Sequence, residues 1–250
     1  MPAPSWKITY IGGPTALVEF GGVRLLTDPT FDPAGESYQT GPVTLHKTMG
    51  PAVTFEQIGA VDAVLLSHDH HADNLDRAGR EMTAAARTVF TTVDGAQRLG
   101  GSAVPLRPWE AVELPARDGR ILKITATPAR HGPPEMDRGP VIGFAAAFTD
   151  APEDVLYVSG DTVWFEGVAE VARRFSVTTA ILFLGAARVA AVGPFHLTMT
   201  AAEAVEAARA FHGARIVPLH CEGWEHFSES RADVERAFRE AGMSDRLFWP

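Results

Sequence analysis

Residues 65–76 read LLSHDHHADNLD, three histidines and three aspartates directly behind an apolar run. A protein core cannot hold such groups unpaired, because burying an uncompensated charge is very costly. The cluster is therefore either a solvated loop or a place where a cation sits. His68, His70 and His71 fall within four positions of a 250-residue chain that holds nine histidines, which disfavours accident. The apolar lead-in, Val61–Leu66, predicts a buried strand, so the cluster sits at that strand's C-terminal end. A helix is expected to follow over about Asn74–Ala86, with Asp73 as its N-cap and Asp76 mimicking a capping box.

Working outward, three further polar sites obey the same grammar, each closing an apolar strand. They are Pro128-Ala129-Arg130-His131-Gly132, Ser159-Gly160-Asp161-Thr162 and Leu219-His220-Cys221. Taken singly, His131 reads as a loop histidine, Asp161 as a turn residue and His220 as a satisfied core histidine. Taken together they require four coincidences at strand ends. Imidazole nitrogen and carboxylate oxygen suit zinc, manganese or iron.

The remaining elements place these sites. Strands are expected at Trp6–Ile11, Ala16–Phe20, Val23–Thr27, Thr88–Thr92, Ile121–Thr127, Val141–Phe148, Val155–Ser159, Ala180–Leu184 and Arg215–Leu219. Gly21-Gly22 marks a two-residue hairpin, and Thr200-Ala-Ala-Glu203 marks a capped helix over about Ala201–His212. Further helices are expected near 95–99, 165–175 and 228–241. Residues 28–59 lack clear periodicity and read as a long loop of lid type, in which His46 and Lys47 are solvated. Two halves, each strand-rich and closed by helices, predict an αββα sandwich: two central mixed sheets flanked by helices, in a single domain over 1–250.

Composition narrows the partners. Apolar content of 46% and charged content of 21% are ordinary for a soluble globular protein. A net charge of −9 and the lack of a Lys/Arg cluster argue against a nucleic-acid surface. No run approaches the roughly 20 apolar residues of a membrane span, so no stable membrane association is expected. With the first strand expected almost at the start of the chain, no targeting segment is expected. The single cysteine, Cys221, excludes an internal disulfide and a Cys-based zinc site, and fits a reducing, cytoplasmic setting. It reads as a packed thiol. A small-molecule substrate is the expected partner, and a homo-oligomer is compatible with everything above.

The ordered set of sites resembles the metallo-β-lactamase superfamily, and within it the branch of ascorbate-6-phosphate lactonase-like and N-acylphosphatidylethanolamine phospholipase D-like hydrolases. Gly12-Gly13-Pro14-Thr15, Leu26-Thr27-Asp28-Pro29, Leu184-Gly185-Ala186 and His196-Leu197-Thr198-Met199-Thr200-Ala201-Ala202-Glu203-Ala204 extend the resemblance over nearly the whole chain. It implies that His68, one of His70 or His71, and His131 hold a first ion. Asp161 would bridge to a second ion, held also by Asp73 and His220. Asp28 would orient a ligand histidine from behind, and His196 would either contact substrate or fix its own loop.

The chain departs from the family's His-x-His-x-Asp-His signature by one extra residue and by Asn74 in the last place. Matching forward from His68 selects His70 as second ligand; matching backward from Asp73 selects His71. Residues Asp73-Asn74-Leu75-Asp76 resemble the branch's Asp-His-Leu-Asp and favour the backward match. Asn74 offers only a neutral amide, so a tight first ion and a weaker second one are expected, with a spare His70 as a stand-in ligand. His212 and His226 carry no argument beyond surface or helix-end roles. The resemblance implies a metal-dependent hydrolase, in which a metal-bound hydroxide attacks a small-molecule ester, lactone, amide or phosphodiester. Asp73, Asp161 and His196 would be its catalytic side chains and Zn2+ its ion or ions, with Mn2+ or Fe2+ as alternatives. The alternatives from other classes are a mononuclear-iron oxygenase of the same fold and a non-catalytic metal-binding protein.

Overall fold

A computed structural model describes residues 6–250. The expectation that no leader precedes the first strand concerns residues 1–5 and lies outside the described residues.

The first sheet opens with β1 (Lys7–Gly12), β2 (Thr15–Phe20) and β3 (Val23–Thr27), a meander paired antiparallel throughout. The β2–β3 turn needs two consecutive left-handed residues, and Gly21 (φ 56°) and Gly22 (φ 77°) supply them without a Cβ penalty. The chain then leaves the sheet for a separate hairpin, β4 (Ser37–Thr40) and β5 (Val43–His46), and a short helix α1 (Phe55–Ile58). It returns as β6 (Ala63–Leu65), followed by α2 (Arg77–Ala85), β7 (Val89–Thr92), α3 (Val93–Leu99) and β8 (Ala103–Leu106). The three returning strands extend β3 in parallel, giving the order β1-β2-β3-β6-β7-β8.

The second sheet comprises β9 (Ala111–Pro115), β10 (Ile121–Pro128), β11 (Ile142–Phe148), β12 (Val155–Val158), β13 (Val177–Phe183) and β14 (Arg215–Leu219), in the order β14-β13-β12-β11-β10-β9. Its first half is antiparallel. The β12–β13 and β13–β14 pairs are parallel, because α4 (Glu166–Arg174) and α5 (Ala201–Ala210) carry the chain back between them. The last helix, α6 (Arg231–Glu240), packs on α5.

Both sheets are therefore mixed and helices cover both outer faces: an αββα sandwich. Strand alternation divides the burial. Val18, Leu25 and Leu65 point inward against Ile124, Phe144, Phe148 and Phe183 of the opposite sheet. Their sequence neighbours Leu17, Leu26, Val64 and Leu66 face the other way and pack with Leu75 and Met82 of the α2 region. On the far side, Tyr157, Ala180 and Leu182 meet Val168, Ala204, Ala208, Phe211, Val234 and Phe238 of the three outer helices.

Some expectations change. The long loop carries the β4–β5 hairpin, whose Tyr38 and Leu45 form a small separate core with Trp224. Lys47 is buried rather than solvated, and its ammonium lies 2.8 Å from Asp76 Oδ2. The helix after the cluster starts at Arg77, three residues late, because its N-cap is Asp76 and not Asp73. Asp76 accepts from the amides of Gly79, Phe31 and Asp32 as well as from Lys47, so one carboxylate joins α2, the hairpin and the loop between. The Thr200–Glu203 capping box is present as read.

Candidate metal centre

His68, His131, Asp161 and His220 are delivered by the ends of β6, β10, β12 and β14, which lie along one edge of the sandwich. β3 ends at Asp28, which has an unusual positive φ of 23°. Its carboxylate Oδ1 accepts the Ser67 amide at 2.7 Å, tying the end of β3 to the segment after β6. The Ser67 hydroxyl pairs with His68 Nδ1 at 2.9 Å. Asp28 thus acts on His68 through Ser67 and touches no histidine itself. Across the cleft the Ser67 carbonyl accepts the Ile142 amide, joining the two sheets directly beneath the site. Gly160 fits this junction because a Cβ there would lie 2.7 Å from both Ile142 O and Ser67 Cβ, at φ 61°. His220, at the end of β14, has φ 55°, a strained value for a side chain of its size.

Three imidazole nitrogens converge. His71 Nδ1 lies 3.0 Å from His68 Nε2 and 3.1 Å from His131 Nε2. The outer nitrogens are engaged elsewhere: His68 Nδ1 with Ser67, and His131 Nδ1 as donor to the Leu197 carbonyl at 2.8 Å. For His68 and His131 that division leaves the inner nitrogen free to offer its lone pair, the arrangement that orients metal-binding histidines. His70 faces away from His131: its Nε2 donates to the Arg138 carbonyl at 2.9 Å, and its Nδ1 is buried without a partner beside the His68 and His71 rings. His68, His70 and His71 nevertheless also form a set whose donors lie within 4.8 Å of one another.

A second set adjoins the first. Donor atoms of His68, His131 and Asp161 lie within 4.8 Å of one another, as do those of Asp73, Asp161 and His220, so Asp161 belongs to both groups. Asp161 Oδ1 accepts from His220 Nδ1 at 2.8 Å, while Oδ2 stands 3.6 Å from His131 Nε2. His220 Nε2 is 3.6 Å from Asp73 Oδ2. Among the described residues, Asp161 Oδ2, His220 Nε2 and Asp73 Oδ1 are buried without a hydrogen-bond partner. Buried polar atoms are normally satisfied, so three such atoms on residues whose donors converge fit a site that closes around cations.

The electrostatics agree. Burial, aided by its histidine neighbours, holds His71 down at about 3 and His68 well below its ordinary value, so both are neutral at pH 7. Burial would also push Asp73 and Asp161 upward. The facing histidines outweigh it, and both carboxyls stay well below the usual range and ionised. For His220 burial is likewise outweighed, here by the Asp161 carboxylate, and its pKa rises. Burial drives Asp28 well above the carboxylate range.

Not every expected residue joins. His196 contacts the Ala186 carbonyl through Nδ1 at 3.4 Å and Arg188 through Nε2, apart from the converging donors. This geometry fixes its loop. Asn74 is fully buried and both of its amide atoms lack a partner. Asp69 forms a two-pronged pair with Arg98 and takes no part in the cluster. Cys221 is buried in the helix-covered layer, and burial pushes its thiol up to about 12.

One further imidazole adjoins Asp73. His226, assigned from sequence no more than a surface or helix-end role, places Nε2 3.0 Å from Asp73 Oδ2. The available signal was the empty histidine place at position 74, which asks for a replacement elsewhere. No strand-end grammar marks position 226.

Over the donors opens a small pocket lined by His71, Asp73, His131 and His226. Val43 and Leu45 of the hairpin form one wall and Val189, Val192 and Leu197 the other, with Arg138 also lining it.

Residues 23–221 match the family described as the beta-lactamase superfamily domain. The chain belongs to this family. A UPF0173 protein of Bacillus subtilis is 25% identical over 255 residues, covering 98% of this chain and 96% of that protein. A UPF0173 metal-dependent hydrolase of Pyrobaculum aerophilum is 25% identical over 221 residues, covering 86% and 83%. Among solved structures, an isothiocyanate hydrolase from Delia radicum gut bacteria superposes with a TM-score of 0.80 at 24% identity, covering 97% of this chain and 95% of that one. At that identity the likeness speaks for the fold.

Proposed function

We propose that this member of the beta-lactamase superfamily is a metal-dependent hydrolase of small, largely apolar molecules, working through two adjacent divalent ions. The observation that carries this reading is the convergence of His68 Nε2, His71 Nδ1 and His131 Nε2 beside the buried, partnerless atoms of Asp73, Asp161 and His220. His68, His71 and His131 would hold the first ion, and Asp73 and His220 the second, with Asp161 between them. The all-nitrogen-and-oxygen donor set suits zinc or manganese. Bound there, a divalent ion lowers the pKa of water to about 7 and polarises the bond under attack.

The chain's own residues supply the rest. Asp161 keeps one oxygen on His220 and turns the other towards His131, holding both halves of the site in register. Asp73 lines the pocket beside the second donor set, where as an ionised carboxylate it would orient the attacking water. The apolar walls exclude water and select uncharged acyl or heterocumulene groups over polyanions, since Arg138 is the one cationic residue lining the pocket.

The test is metal analysis joined to a substrate panel. Protein purified without chelator should carry zinc or manganese and hydrolyse at least one ester, lactone, amide, phosphodiester or isothiocyanate, with activity abolished by chelation and restored by the ion. Iron with oxygen consumption, or bound metal with no turnover across the panel, would overturn it.

A further inference from the structure

The residue after the signature aspartate is an asparagine, and the second donor set of Asp73, Asp161 and His220 has a further imidazole, His226, beside Asp73. The geometry points to His226 as the residue that takes over the vacant histidine's place and completes the second metal site; this rests on the two-ion reading above. His226 Nε2 lies 3.0 Å from Asp73 Oδ2, closer than His220 Nε2 at 3.6 Å to the same oxygen. The two imidazoles thus approach one carboxylate oxygen from two parts of the chain. Both rings flank Phe227, with centroids 4.9 Å (His220) and 4.7 Å (His226) from its own.

The segment that delivers His226 is fixed, as a ligand-bearing segment must be. The His226 carbonyl accepts the Arg188 amide at 2.8 Å, and the Glu225 amide donates to the His46 carbonyl at 3.0 Å. Isolated bridges pair Trp224 with Lys47 and Phe227 with Ala187, so the hairpin and the loop after β13 clasp the segment from both sides. The side chain is 9% exposed and lines the pocket. A surface histidine forming an incidental ion pair would not be held by two other elements.

The alternative stand-in, His70, is oriented elsewhere, with its Nε2 on the Arg138 carbonyl. Asn74 presents a neutral amide, and a carbonyl oxygen is a poor partner for zinc beside imidazole and carboxylate. An imidazole imported from residue 226 restores the missing nitrogen donor. The second ion is then held by Asp73, Asp161, His220 and His226, and binds far more tightly than the asparagine alone would suggest.

The deciding experiment counts ions rather than turnover. Wild-type protein, His226→Ala, His226→Gln, Asn74→Ala and the exposed-site control His212→Ala are stripped and titrated with Co2+. Stoichiometry is followed by visible absorption and by mass spectrometry of metal. Two equivalents are expected for wild type, His212→Ala and Asn74→Ala. One tight equivalent is expected for both His226 variants, with the second weakened at least about 10-fold, or about 1.4 kcal/mol. Retention of the first ion certifies that the variants fold. Two ions at wild-type affinity in His226→Ala and His226→Gln would overturn the assignment while leaving the two-ion reading intact, and would return His226 to a role towards substrate. A single ion in wild type would overturn the two-ion reading and the assignment with it.

Discussion

At the scale of single residues, the choice between His70 and His71 turns on the direction of two nitrogens. Sequence spacing permits either, because a one-residue insertion can be absorbed before or after the second histidine. We propose His71, whose Nδ1 reaches both His68 and His131, over His70, whose Nε2 donates to the Arg138 carbonyl. His71→Ala should therefore lose the first ion and lower kcat/KM by more than about 100-fold. His70→Ala should keep the ion and lose about 10-fold or less, as supporting residues near metals do. Metal content and steady-state kinetics on both variants decide the matter. His68, His131, Asp161 and His220 were legible because each terminates a recognisable strand. His226 was not, because it lies in an irregular segment whose approach to Asp73 depends on two contacts far away in sequence.

At the scale of elements, the strands that build the sandwich announced themselves through apolar runs, and those that did not are short or polar. β8 and β9 each contain a proline and carry little buried surface (AVPL and AVELP), which hides them from a pattern reading. The β4–β5 hairpin buries only Tyr38 and Leu45 of its eight strand residues, too few to set a period of two. What holds it is the Lys47–Asp76 pair, in which both side chains are almost wholly buried. Breaking a buried pair from one side strands the other charge, at a cost of about 3–5 kcal/mol. Lys47→Met should thus lower the urea unfolding free energy by about 3 kcal/mol. It should also raise KM more than it lowers kcat, because the hairpin forms a pocket wall. An unchanged KM would show that the wall stands without its anchor.

At the scale of the whole molecule, the inter-sheet core and the cluster of donors are separate things. The core is formed by some twenty buried apolar side chains between the sheets, and it meets the donors where Phe183 packs edge-on against His220. Removing metal should leave the far-UV circular dichroism unchanged while lowering the melting temperature, since binding to the native state alone stabilises it. The stripped protein should also be acid-labile in a defined window. His71 titrates at about 3 in the fold against 6.5 ordinarily, and His68 is depressed too, so the unfolded chain takes up these protons first. The stability is then complete above about pH 6.5 and falls as the pH drops towards 3, at up to about 1.4 kcal/mol per pH unit for each group. Asp73 and Asp161, held low by histidines, extend the loss below the ordinary carboxylate range. His220 works in reverse: its raised pKa contributes stability that is lost on the alkaline side. Thermal melts of chelated protein across this range would show both limbs, and a flat profile between pH 6.5 and 4 would refute the assignment of buried neutral imidazoles.

The hairpin forms a layer of its own, joined to neither large sheet by a strand ladder. Its Val43 and Leu45 face the pocket, while the donors stand on strand ends anchored in the sandwich. Reactivity and taste are thus written in different parts of the chain. Grafting another protein's hairpin between Glu36 and Lys47 would retune which molecules enter without touching the atoms that react, and divergence within such a lineage can proceed by trading awnings over an inherited hearth.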